Sequence, residues 1–250
     1  MFSNDSPHNI HGRISTMVYP KDSWLPNLHD GFDGVRLIEA GEVALFVRVG
    51  NRQKHMASYG VGEWLGIYSI FHTHVPSMQW KVTADLTCQE LPTADLIALL
   101  EQDRTGLRMD LQQAANYHHL ALNLALHPIF GELPEPLRSR LVKDSHISLL
   151  YPKQHLTYQD QPNHYLYLII RGALDIYQNG SLLTTRFPHE ILGEISLLCS
   201  NGKAMADVIS KDFSEVMVIP ESTIHQLTQE HHPFHQDLLK LGELRLKTIV

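Results

Sequence analysis

Apolar and polar positions alternate with a period of two along Val35–Phe46 (VRLIEAGEVALF) and again along Leu166–Tyr177 (LYLIIRGALDIY). Each stretch runs apolar into a single glycine, Gly41 or Gly172, and resumes beyond it at Val43, Leu45 and Val47 or at Leu174 and Ile176. Alternation of this kind predicts half-buried strands. Gly50-Asn51 and Asn179-Gly180 follow, dipeptides that tolerate the positive φ of tight hairpin turns. WLGIYSIF from Trp64 and ILGEISLL from Ile191 come next, then Leu91-Pro92 and Ile219-Pro220, each Pro opening a helical pattern.

The offsets between matched landmarks are 131 residues (Gly41 to Gly172), 127 (Gly66 to Gly193) and 128 (Pro92 to Pro220). A near-constant offset predicts two copies of one domain. After Pro92, Leu96, Leu99, Leu100, Leu107, Leu111, Ala114, His118 and Leu122 fall at helical spacing, predicting a short helix, a turn near Gly106 and a long helix. In the second copy Ile224 and Leu227 precede His231-His232-Pro233, and Phe234, Leu238, Leu241 and Leu244 continue as an amphipathic stripe. Pro233 fits the first helical position, where its missing donor costs nothing. That stripe needs a cover, and the expected one is the long helix of the first repeat or a second chain.

Composition narrows the picture. At 250 residues, 43% hydrophobic and 19% charged, the chain can bury two ordinary cores. Residues 1–17 form a polar segment without a signal-peptide pattern, and no apolar run approaches the roughly 20 residues of a membrane span. A cytoplasmic protein without membrane contact is the expectation. A net charge of −7 with scattered Lys and Arg argues against nucleic acid. Cys88 and Cys199 sit in apolar runs without CxxC spacing and read as buried thiols.

From Phe130 to Leu227 the chain resembles the cyclic nucleotide-binding domain of the cAMP receptor protein, the kinase regulatory subunits and certain channels. The landmarks are Phe130-x-x-Leu133-Pro134, the run into Gly172, Gly193-Glu194 with Leu197-Leu198 behind, and Ile219-Pro220. The first half resembles it in outline through Gly31, Gly41, Gly62, Gly66 and Leu91-Pro92. The resemblance implies a mainly β protein of two antiparallel jelly-roll-like β-rolls, each followed by helices: a degenerate copy over 18–127 and a second over 128–250. It carries no helix-turn-helix, and no Arg-Arg-x-Ser/Ala pseudosubstrate segment is present, Arg138-Ser139-Arg140-Leu141 not supplying one.

In that family an Arg and helix-terminal N–H groups hold the cyclic phosphate while a Glu accepts from the ribose 2′-hydroxyl. The resemblance places the cassette at Gly193, Glu194, Ile195, Lys203, Ala204 and Met205. Ala204 stands where the Arg would be, and the adjacent Lys203 is a point donor without the planar fork. A structural role for Glu194 at the start of the cassette helix is the competing reading. In the first copy Ile67 replaces the Glu and Ser77 the Arg, so no nucleotide is expected there.

The β-roll is also similar to cupins, and Gly66, five residues and His72-Thr73-His74 match part of their metal motif, but no Glu follows. His231 and His235, four apart, read as helix-start histidines. Neither metal site nor catalytic residue is expected. The function implied is a non-catalytic regulatory protein that takes cAMP, cGMP or another small anion in the second domain, an intramolecular pseudo-dimer able to form a homodimer. Alternatives are a ligand-free protein-contact module and a metal-dependent bicupin-like enzyme.

Overall fold

Short alternating strands punctuated by Gly, Pro and Asn pair locally, and helices form where the period changes to 3.6. The computed structural model describes residues 14–26, 32–49, 52–71, 78–101, 106–198 and 202–249. Two compact units divide the chain, Met1–His119 and Leu120–Val250. Gly50-Asn51, Ser77, the His72-Thr73-His74 motif and Cys199 lie outside the described residues.

In the first unit, β1 (Ser15–Tyr19), β2 (Gly34–Val49), β3 (Arg52–Tyr59), β4 (Trp64–Leu65) and β5 (Met78–Pro92) form one antiparallel sheet ordered β1-β5-β2-β3, with β4 on β2. A short helix α1 (Tyr68–Phe71) follows β4, and α2 (Thr93–Glu101) and α3 (Leu107–Leu126) follow β5. Gly106 makes the turn before α3 with φ +85°. Cys88 is fully buried, and burial pushes its thiol up to about 11.

The second unit takes in the end of α3 from Leu120, followed by a 3-10 turn at Phe130–Glu132 and α4 (Glu135–Asp144). Eight strands follow: β6 (His146–Leu150), β7 (His155–Thr157), β8 (Tyr165–Arg171), β9 (Leu174–Gln178), β10 (Ser181–Arg186), β11 (Ile191–Leu192), β12 (Asp207–Ser210) and β13 (Ser214–Pro220). They make two four-stranded antiparallel sheets, β10-β9-β12-β7 and β11-β8-β13-β6. The cassette helix α5 (Glu194–Leu198) lies between β11 and β12, and α6 (Glu221–Glu230) and α7 (His232–Ile249) close the unit. Asn179 and Gly180 turn β9 into β10 with φ of +51° and +78°, the twist a tight hairpin favours.

The repeat extends to strand register. Arg36 faces Leu65 and Leu37 faces Trp64, as Tyr167 faces Leu192 and Leu168 faces Ile191. Gly34 faces Pro92 and Tyr165 faces Pro220; Tyr19 faces Leu86 and Leu150 faces Ser214; Leu45 faces Ala57 and Ile176 faces Thr184. Shifting the first residue of each pair by 131 and the second by 127 or 128 converts a pairing of one unit into one of the other. The units differ in continuity. β2 and β5 run unbroken through bulges around Gly41, which bend a strand without ending it, whereas the second unit breaks at Gly172.

One core cluster of the first unit packs Val35, Ile67 and Leu91 against Leu96, Leu100, Leu111 and Ala115 of α2 and α3, and that of the second lies among its strands. The second is made of Tyr167, Ile169, Leu174, Ile176, Leu192, Val208, Val216 and Val218. The first half of the α7 stripe is covered within the second unit: Phe234 and Leu238 are buried, the Phe234 ring lying 5.6 Å from that of Phe130, whereas Leu244 is exposed. Pro233 is the second residue of α7, and the His231 imidazole accepts the Phe234 N–H at 3.3 Å, so this histidine caps the helix start.

Candidate ligand-binding site

The inward faces of β7, β8, β9 and β12 are apolar, and between them, β10, the cassette and α7 the second unit keeps a cavity of about 600 Å³. That size suits a drug-sized ligand. Tyr167, Ile176, Leu192, Ala206 and Val208 line it from the strands and the segment before β12, together with Leu183, Thr184 and Arg186 of β10 and Leu241, Leu244 and Arg245 of α7.

Gly193, Glu194, Ile195, Ala204 and Met205 line this cavity. Lys203 is exposed, bridges to Pro162 and is not among the lining residues. Gly193 takes φ +90°, and a Cβ there would sit 2.5 Å from the Tyr165 carbonyl oxygen. Only glycine therefore turns the chain from β11 into α5 while passing this close to β8.

Glu194 is 2% exposed. Its Oε1 accepts from Nη1 of Arg245 at 2.7 Å, and the same nitrogen donates to the Ile191 carbonyl. Nη2 of Arg245 lies 3.7 Å from Oε1 of Glu190, which also pairs with Arg186 at 2.9 Å. The other Glu190 oxygen accepts the Phe187 N–H at 2.7 Å. Two arginines and two glutamates thus form one chain of ion pairs along the cavity.

The uncharged polar groups of the wall are bonded as well. Tyr167 donates to Asn163 Oδ1 at 2.8 Å, Asn163 donates to the Tyr165 carbonyl at 2.9 Å, and Thr157 donates to the Ala206 carbonyl at 3.2 Å. Burial raises the Tyr167 phenol to about 12, so it stays protonated as a donor. The Ala204 N–H donates to the Gln161 carbonyl at 2.9 Å.

Arg245, Glu190 and Arg186 are cavity-lining residues outside the cassette motif. Arg245 falls four positions after Leu241 and seven after Leu238. A cation on the buried face of an amphipathic helix needs a buried anion opposite it, and this was the signal available. In the first unit Ile67, in the position of Glu194, is fully buried among Val35, Leu91, Leu96, Leu100, Leu111 and Ala115. Among the described residues no group of three or more His, Cys, Asp or Glu could hold a metal ion. No helix among them is long and apolar enough to cross a membrane.

Residues 149–231 match the family model of the cyclic nucleotide-binding domain. Among solved structures the chain is similar to cAMP-bound PfPKA-R, with 14% identity, a TM-score of 0.50 and coverage of 96% of this chain and 81% of that one. It is also similar to the regulatory subunit of a cAMP-independent protein kinase A from Trypanosoma brucei (14% identity, TM-score 0.47, 92% and 79% covered). A third is the regulatory domain of Toxoplasma gondii PKA with cAMP (11% identity, TM-score 0.45, 92% and 86% covered). Curated protein sequences give no match. The family match is confined to residues 149–231 in the second half of the chain, and the likeness to PfPKA-R at 14% identity is one of fold, two β-rolls each followed by helices.

Proposed function

We propose that this chain is a non-catalytic regulatory protein whose second unit senses a small ligand in the cavity beside α5 and passes the signal through α7. The observation that carries this is the Arg245–Glu194 pair, which ties the C-terminal helix to the cassette residue at 2.7 Å. A ligand entering the cavity meets α5 and α7 at once, so it stabilises one placement of α7 over another by its differential contacts with the two. The family match makes cAMP and cGMP the first ligands to test. The first unit acts as a ligand-free partner domain, because Ile67 brings hydrocarbon where a carboxylate would accept a hydroxyl.

The test is hydrogen exchange across residues 232–249 with and without cAMP, cGMP and an uncharged cavity probe, alongside melting temperature. A ligand that raises the melting temperature and changes protection of α7 supports the reading. Binding that leaves α7 protection unchanged removes the signalling role. No response to any of them leaves a protein-contact module.

A further inference from the structure

The charges of the second-unit cavity are matched to one another. Arg186 and Arg245 are the cations of its lining and Glu190 and Glu194 the anions, joined at 2.9, 3.7 and 2.7 Å. An anionic ligand that drew Arg245 away from its partner would leave Glu194, 2% exposed, as a buried charge without its counterion, and one at Arg186 would sit beside the Glu190 carboxylate. The cassette offers no replacement cation: Ala204 is buried, its N–H is bonded to Gln161, and Lys203 is exposed outside the lining. Thr157, Asn163 and Tyr167 are bonded to neighbouring wall groups. Most of what the cavity presents to an occupant is hydrocarbon, from Ile176, Leu192 and Val208 inside to Leu183 and Leu244 at the rim, 42% and 66% exposed, with the Thr184 and Ser196 hydroxyls as its uncharged polar points.

We infer that this cavity is built for an uncharged, mostly apolar molecule of drug-like size and discriminates against anions, cyclic nucleotides included. The inference rests on the ligand-sensing reading above and specifies its ligand class. An apolar molecule loses little water on entry and leaves the ion pairs as they are; a phosphate loses its hydration and enters beside two carboxylates whose charges already match those of the arginines. Selectivity then comes from the paired charges themselves, since each carboxylate repels an anion that its arginine would otherwise attract.

Nile red, uncharged and fluorescent only when shielded from water, probes the site in the full chain, with cAMP as the anionic counterpart. The expected result is saturable Nile red binding at one site per chain, weakened at least tenfold by Leu183→Asp at the exposed rim, and no displacement by millimolar cAMP. Calorimetry with cAMP alone is expected to give no heat of binding. Displacement of the dye by cAMP, or direct cAMP binding, overturns the inference while leaving ligand sensing in place. Dye binding that Leu183→Asp leaves unchanged places the dye elsewhere on the protein and also overturns it. Failure of both ligands to bind removes the sensing reading together with the inference.

Discussion

At one position the two units make opposite chemical choices. Ile67 meets Leu111 and Ala115 of α3 through hydrocarbon, and Glu194 meets Arg245 of α7 through an ion pair. Breaking such a buried pair on one side strands a charge, so Arg245→Leu is expected to lower unfolding free energy by ~3–5 kcal/mol in urea titrations. Copying the first unit's solution into the second, with Glu194→Ile and Arg245→Leu together, is expected to restore stability to within ~1 kcal/mol of the native chain or above it. A double variant as weak as the single one would show that the pair is held by more than charge balance. Gly193→Ala is expected to cost more than ~1 kcal/mol, because φ +90° and the Tyr165 carbonyl both oppose a Cβ. Gly193 and Glu194 were readable in the sequence because their motif is local. Arg245 was readable only as a cation on an apolar helix face that calls for some anion, since which carboxylate meets it, 51 residues away, is decided by the fold.

Elements were more legible than contacts. Strands on both sides of Gly41 and Gly172, the turn at Gly106, and helices after Pro92 and Pro220 all follow from period, glycine and proline, and the near-constant offsets give their repetition. The cover of α7 did not follow. An apolar stripe states that something must bury it, and Phe130, 104 positions before Phe234, is recognisable as the cover only once the chain has folded. Phe234 and Leu238 are buried in their own unit, so Phe234→Ala is expected to cost ~3–5 kcal/mol, and removal of 232–250 to give a less cooperative, dye-binding second unit. A chain truncated before His232 with unchanged melting would contradict the burial of Phe234 and Leu238.

Across the whole molecule, the histidines link stability to pH. Burial depresses His118 to about 4, and burial together with the positive field of His189 depresses His127 to about 4. The His127 Nδ1 also accepts the Ile129 and Phe130 N–H groups at 3.1 and 3.3 Å, which only the ring unprotonated at that nitrogen can do. Both groups have folded values below the unfolded 6.5, so the unfolded chain binds the extra protons. Their stabilisation is complete above pH 6.5 and is lost as pH falls from 6.5 towards 4. Denaturation midpoints are expected to drop steadily over that window, by roughly 3 kcal/mol per histidine in all, and His118→Phe is expected to flatten the profile. A midpoint constant from pH 7 to 5 would mean that neither ring is buried in its neutral form. The contrast between Ile67 and Glu194 extends to heat. Apolar burial has a large heat-capacity signature and fades on cooling, whereas the hydration given up by charged groups becomes less favourable on warming, so their pairing gains relative strength. The contact between roll and following helix is therefore most secure at different temperatures in the two halves. Chilling loosens α3 on Ile67 sooner than α7 on Glu194, so one polypeptide holds two copies of a single architecture whose calorimetric baselines diverge.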